Sequence, residues 1–176
     1  DAYNVAVGYN TGIAMTTGVQ NTIVGAEAGD AITTGTHNVA IGFRALSTED
    51  TGSNSIAIGY YALNKQNNAA NNYNIAIGHS AASELTSGTL NTIMGAFAGD
   101  AMTTSIANVA IGYNALGAED THGKNVAVGY QALKVQNAGA DGFNTAVGFE
   151  AGKAVTTGVQ NTIVGGQAGD ALTTGN

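Results

Sequence analysis

The groups in this chain best suited to hold a metal ion are twelve acidic residues and three histidines. Asp30, Asp100 and Asp170 recur at a fixed interval, as do the pairs Glu49-Asp50 and Glu119-Asp120. Calcium needs several oxygens converging on one ion. Members of each set stand four coils apart, about 19 Å at the spacing of paired strands, so they cannot share one. The Gly-Gly-x-Gly-x-Asp nonapeptide of calcium β-rolls is absent. These carboxylates are expected to be solvated turn residues. His37 and His122 fall in turns, His79 occupies a slot otherwise held by aromatics, and no pair sits at zinc-ligand spacing. No serine or histidine is singled out with a base and an orienting group, as nucleophilic catalysis requires. The glycine-rich stretch 8–12 lacks a P-loop lysine and a following helix. An ice-binding threonine array is broken at Asp50-Thr51, Asn67-Asn68 and Asp120-Thr121, although Thr103-Thr104 persists. The reading is of no catalytic residue, no cofactor and no metal site.

What must position these residues is a repeat. The pentapeptide at 4–8, Asn-Val-Ala-Val-Gly, returns with starts at Asn21, Asn38, Ser55, Asn74, Asn91, Asn108, Asn125, Asn144 and Asn161. The start-to-start intervals are 17, 17, 17, 19, 17, 17, 17, 19 and 17 residues. Four coils make a 70-residue block, so the chain divides at about 4–73, 74–143 and a partial 144–176. The whole of 1–176 reads as one array. It opens inside a repeat, so it is expected to be an excerpt from a longer fibrous protein.

Glycine accounts for 26 of 176 residues, proline and cysteine are absent, and 10% of residues are charged. A mean hydropathy of +0.05 is too high for a disordered tract. The net charge of −7 excludes the basic footprint of a nucleic-acid binder. No apolar run is long enough to span a membrane.

Counting each start as position zero, position one is Val, Ile or Thr and position three Val, Ile or Met, before a glycine at position four. This alternation predicts a short strand. A second short strand is expected around the recurrent alanine at Ala28, Ala45, Ala62, Ala81, Ala98, Ala115, Ala132, Ala151 and Ala168. Such coils stack as an all-β parallel β-solenoid of ten coils, a rod on the order of 45–50 Å long. Position two is Ile at Ile23, Ile93 and Ile163 and Ala elsewhere. Position five is small in those three coils (Ala26, Ala96, Gly166) and Tyr, Phe or His in the rest. That exchange predicts one shared volume for the two sites. It implies a strand packed on both faces, one filling the coil and the other needing a partner.

The recurrent asparagines Asn4, Asn21, Asn38, Asn74, Asn91, Asn108, Asn125, Asn144 and Asn161 are expected to form an amide ladder. The glycine at position four is expected to take a positive φ or to let backbones approach. The two 19-residue coils carry polar tracts at 64–73 and 134–143, read as outward loops. Asn64, Lys65, Gln66, Asn67, Asn68, Lys134, Gln136, Asn137 and Asp141 are their candidate binding residues.

The motif Asn54-Ser55-Ile56-Ala57-Ile58-Gly59, with 38–42 and 108–112, resembles the head repeats of YadA-like trimeric autotransporter adhesins, and similar repeats occur in phage tail fibres. The coils here are longer than that family's usual ones. The resemblance implies a left-handed β-roll and a homotrimer. It implies a non-enzymatic segment of a bacterial surface adhesin or of a virion tail fibre, placed extracellularly, that projects or attaches to a protein or glycan receptor. The alternatives are a monomeric ligand- or ice-binding solenoid and a solenoid enzyme, whose polar cluster should break the repeat at one place.

Overall fold

The computed structural model describes residues 2–175. Asp1 and Asn176, the ends of the expected array, lie outside the described residues. The chain is an all-β parallel β-solenoid. Its strands are β1 (Val5–Val7), β2 (Thr22–Val24), β3 (Val39–Ile41), β4 (Ile56–Ile58), β5 (Ile75–Ile77), β6 (Thr92–Met94), β7 (Val109–Ile111), β8 (Val126–Val128), β9 (Thr145–Val147) and β10 (Thr162–Val164). They form one ten-stranded sheet in chain order. Equivalent positions face each other: Val39, Ala40 and Ile41 pair with Ile56, Ala57 and Ile58. The 19-residue coil keeps this register, since Ile56 pairs with Ile75.

The expected second strand does not form. Around Ala45 the chain turns, because Arg44 (φ 55°) and Leu46 (φ 53°) adopt left-handed backbone on either side of it. Strand pairing needs a run of extended residues, and this alternation ends one. The backbone is satisfied by alternate reach instead. Arg44 N–H donates back to Ala26 O at 3.1 Å, and Leu46 N–H donates forward to Ala62 O at 3.0 Å.

Each strand ends in a glycine that no other residue can replace without strain. Gly42 has φ +127°, and a Cβ there would lie 2.6 Å from Gly59 O. Both expected uses of this glycine, positive φ and close approach, therefore hold at once.

Position two points into the coil. Ala40, Ala57, Ala76, Ala110, Ala127 and Ala146 are fully buried, as is Ile23. The recurrent alanines at position seven join them. The shared volume expected for positions two and five is not found, because position five lies on the outer surface and Tyr60 is 48% exposed. Strand alternation points position two inward, while the chain after the glycine emerges outside. Nothing in the structure ties the small Ala26, Ala96 and Gly166 to the interior isoleucines. Ile23 exchanges volume with position eight instead, which is glycine in all three isoleucine coils (Gly29, Gly99, Gly169). A Cβ on Gly29 would lie 2.9 Å from Ile32 Cδ1 and 3.2 Å from Ile23 Cδ1. Where position eight is a buried leucine (Leu46, Leu63, Leu116, Leu133), position eleven is Glu49, Gln66, Glu119 or Gln136, all fully buried.

Candidate functional site

Three features rise above the scaffold: the asparagine column, the outer strand face, and the polar residues inside the leucine-bearing coils. The asparagines bind mostly main chain. Each Oδ1 accepts the backbone N–H of the residue beginning the next coil, at 2.8–3.1 Å from Asn4 to Asn21, Asn21 to Asn38, Asn38 to Ser55, Asn74 to Asn91, Asn91 to Asn108, Asn108 to Asn125, Asn125 to Asn144 and Asn144 to Asn161. The Nδ2 of Asn4, Asn21, Asn38, Asn74, Asn91, Asn144 and Asn161 donates to the carbonyl fourteen residues on, at 2.7–2.9 Å. Asn108 does so to His122 O at 3.3 Å. Direct amide-to-amide contacts occur at Asn4–Asn21, Asn74–Asn91 and Asn144–Asn161, at 3.1–3.3 Å. The column pins each coil corner and the corner above it with one side chain.

The outer strand face carries positions one and three. Ile56, Ile58, Ile75, Ile77, Val109 and Ile111 are half-buried while the residues between them are fully buried. Two columns of side chains, β-branched except at Met94 and with threonine at Thr22, Thr92, Thr145 and Thr162, therefore run the length of the sheet. Just past the strands an outer row of rings runs coil on coil, stacked except at Phe97, which is tilted to His79 and edge-on to Tyr113. Phe43–Tyr60, Tyr60–His79, His79–Phe97, Phe97–Tyr113, Tyr113–Tyr130 and Tyr130–Phe149 have centroids 4.9–6.0 Å apart. Phe97 continues the row from position six where Ala96 leaves a gap at position five.

The two polar tracts only partly project. Lys65, Asn67 and Asn137 are exposed, and Asn64, Asn68, Lys134 and Asp141 are half-buried. Gln66 and Gln136 are fully buried, which corrects their assignment to outward loops: they replace the apolar residue at position eleven and point into the coil. Lys65 pairs with Glu84 at 2.5 Å and Asp141 with Lys124 at 2.6 Å, tying each tract to a neighbouring coil. An open groove beside the second tract is lined by Lys134, Val135, Glu150, Lys153, Ala154 and Asp170.

Glu49 and Glu119 are not the solvated turn residues expected of them. Both carboxylates are fully buried, and burial pushes each carboxyl above the usual carboxylate range. Glu49 is held by three donors: Gly52 N–H at 2.7 Å, Gln66 Nε2 at 3.0 Å and Asn72 Nδ2 at 3.0 Å. Gln66 Nε2 also reaches Ser55 Oγ at 2.7 Å, and its Oε1 accepts from Asn74 Nδ2 at 2.8 Å. The sequence carried a signal for this junction that a strand-period reading passes over: leucine at position eight always accompanies Glu or Gln at position eleven.

No helix among the described residues is long and apolar enough to cross a membrane. No family model matches the chain, and neither the curated proteins nor the solved structures include a significant match.

Proposed function

We propose that this chain is a segment of a homotrimeric extracellular fibre that projects or attaches, as its resemblance to trimeric adhesin heads and tail-fibre repeats implies. The observation that carries the reading is the outer strand face. Two columns of side chains, valine, isoleucine or threonine at position one and valine, isoleucine or methionine at position three, span ten strands and stay partly exposed on the chain alone. Monomeric soluble proteins rarely leave contiguous apolar strips of this kind in water. A second and third copy about a common axis would cover all three strips equivalently, closing the assembly. The task is mechanical: main-chain pairing along the rod and packing across it give stiffness. Three chains of net charge −7 repel neighbouring fibres.

The exposed column of stacked rings favours a second reading, a solenoid that binds a glycan or another flat ligand as a monomer. Aromatic faces stack on apolar sugar faces, and these rings are not taken up in core packing as the sequence implied.

Light scattering coupled to gel filtration separates the two. The fibre reading predicts a mass near three times 17.5 kDa, about 52 kDa. A mass near 17.5 kDa sinks it and leaves the ring column as the leading surface. Loop attachment is tested by substituting the exposed Lys65, Asn67 and Asn137. Excision of the tracts would also remove the buried Gln66 and Gln136.

A further inference from the structure

The junction around Glu49 has a duplicate seventy residues on, and the duplicate is built differently. Glu119 and Gln136 match Glu49 and Gln66, but Gly142 stands where the first copy has Asn72, Asn125 where it has Ser55, and His122 where it has Gly52. Of the three donors that held the first carboxylate, the backbone N–H persists, the Asn72 amide is gone and the Gln136 amide makes no bond to Glu119. Glu119 Oε1 accepts only the His122 backbone N–H, at 3.0 Å. Glu119 Oε2, Asn125 Nδ2 and both amide atoms of Gln136 are buried and have no hydrogen-bond partner among the described residues. Native interiors seldom leave such groups unpaired, and a cluster of them calls for a partner, an ordered water or an ion.

What the second copy gains at this place is an imidazole. The ligand atoms of Glu119, Asp120 and His122 lie within 4.8 Å of one another. His122 Nδ1 stands 3.0 Å from Thr121 Oγ1 and 3.8 Å from Glu119 Oε1, the latter too long for a hydrogen bond. A charged imidazole would therefore leave Glu119 Oε2 as bare as before. Nearby, Asp141 accepts from Gly123 N–H and pairs with Lys124, which neutralises it.

We propose that the turn Glu119–Asp120–His122 binds one divalent transition-metal ion of the zinc type. Two carboxylates and one imidazole form a donor set suited to zinc and its neighbours, whereas calcium and magnesium favour all-oxygen shells. The ion supplies Glu119 with the positive charge that amide donors supply to Glu49. The first copy, with Gly52 in place of the imidazole and a fully donated carboxylate, is a built-in control that takes no ion. The proposal is independent of oligomeric state.

The test uses the full chain, stripped with a chelator and titrated with Zn2+ by calorimetry and with Co2+ by visible absorption. The expected result is one ion per chain and a rise in melting temperature with zinc. His122 is partly exposed, so His122→Gly, which installs the residue of the sister turn, should keep the fold by circular dichroism. It should weaken binding at least about a hundredfold, since loss of a supporting group outside the ligand shell already costs 10–100-fold. Absence of binding at micromolar zinc overturns the proposal. So does binding that survives His122→Gly unchanged, which would move the ion to His37 or His79, and so does a crystal structure of the zinc-soaked chain with water alone beside Glu119 Oε2.

Discussion

Asn91 Oδ1 accepts the backbone N–H of Asn108 at 3.0 Å while its Nδ2 donates to Ser105 O at 2.8 Å. One side chain thus satisfies two buried main-chain groups in different coils. Asn91→Ala leaves both without a partner. At about 1–3 kcal/mol for each orphaned buried group, the variant should lose about 2–4 kcal/mol in urea unfolding. A loss under about 0.5 kcal/mol would mean that the column is decorative.

The glycines differ sharply in the room they leave for a side chain. Gly95 has φ +132° with a Cβ position 2.5 Å from Gly112 O, whereas a Cβ on Gly166 meets nothing within 4 Å. Gly95→Ala must push two coils apart and should cost more than about 3 kcal/mol. Gly166→Ala should stay within about 0.5 kcal/mol. Thermal melts of the pair check both.

Ile77 lies half-buried on the outer strand face. On a monomer Ile77→Glu would be an ordinary surface substitution, worth about 0.5 kcal/mol or less. At a three-chain interface it would bury three like charges around one axis. Light scattering should then show the mass falling to that of a single chain. A variant that keeps the parental trimer mass would place the interface elsewhere.

The two buried glutamates predict opposite responses to Gln. Glu49 accepts three donors, and an amide in its place must turn one N–H against them, so Glu49→Gln should cost about 1–3 kcal/mol at neutral pH. Glu119 has one such donor and an unpartnered oxygen, so in chelator Glu119→Gln should be neutral or stabilising.

The pH profile follows from the same burial. Desolvation raises both carboxyls above their ordinary 4.5, against the opposing pull of their donors and, for Glu119, of His122. A raised folded pKa means that the native state holds the proton longer than the unfolded chain does. Its contribution to stability is complete below about pH 4.5 and is lost as pH rises through the folded value. Melting temperatures in chelator should fall over that interval, and less so in Glu119→Gln. A profile unchanged by the substitution would show that Glu119 does not titrate there.

The rungs were legible because strand alternation and an obligatory glycine are local signals. Val39, Ile41 and Gly42 announce themselves without knowledge of any neighbour. The half-coil after the glycine was not, because Arg44 and Leu46 take left-handed backbone that neither residue prefers. Backbone bonds to Ala26 and Ala62, the Arg44 pairing with Glu27 and the burial of Leu46 hold them there, all supplied by other coils or the core. Burial of Glu49 was hidden for a related reason. Beside Asp50 in a polar turn it reads as solvated, and its partners Gln66 and Asn72 lie a coil away. The sequence also asked for a partner on the outer face, but the volume argument for it was pinned to the wrong residues. Position five recurs with position two without touching its space.

The left-handed residues carry a consequence for how the molecule is made. A coil such as that from Asn108 sets Asn114, Leu116 and Lys124 in conformations that each cost about 1–2 kcal/mol. The offsetting bonds run to adjoining coils. A lone coil is therefore uphill, whereas a finished one presents a row of donors and acceptors on which the next can settle. Winding resembles growth of a one-dimensional crystal: a slow first layer, then rapid deposition from its ends.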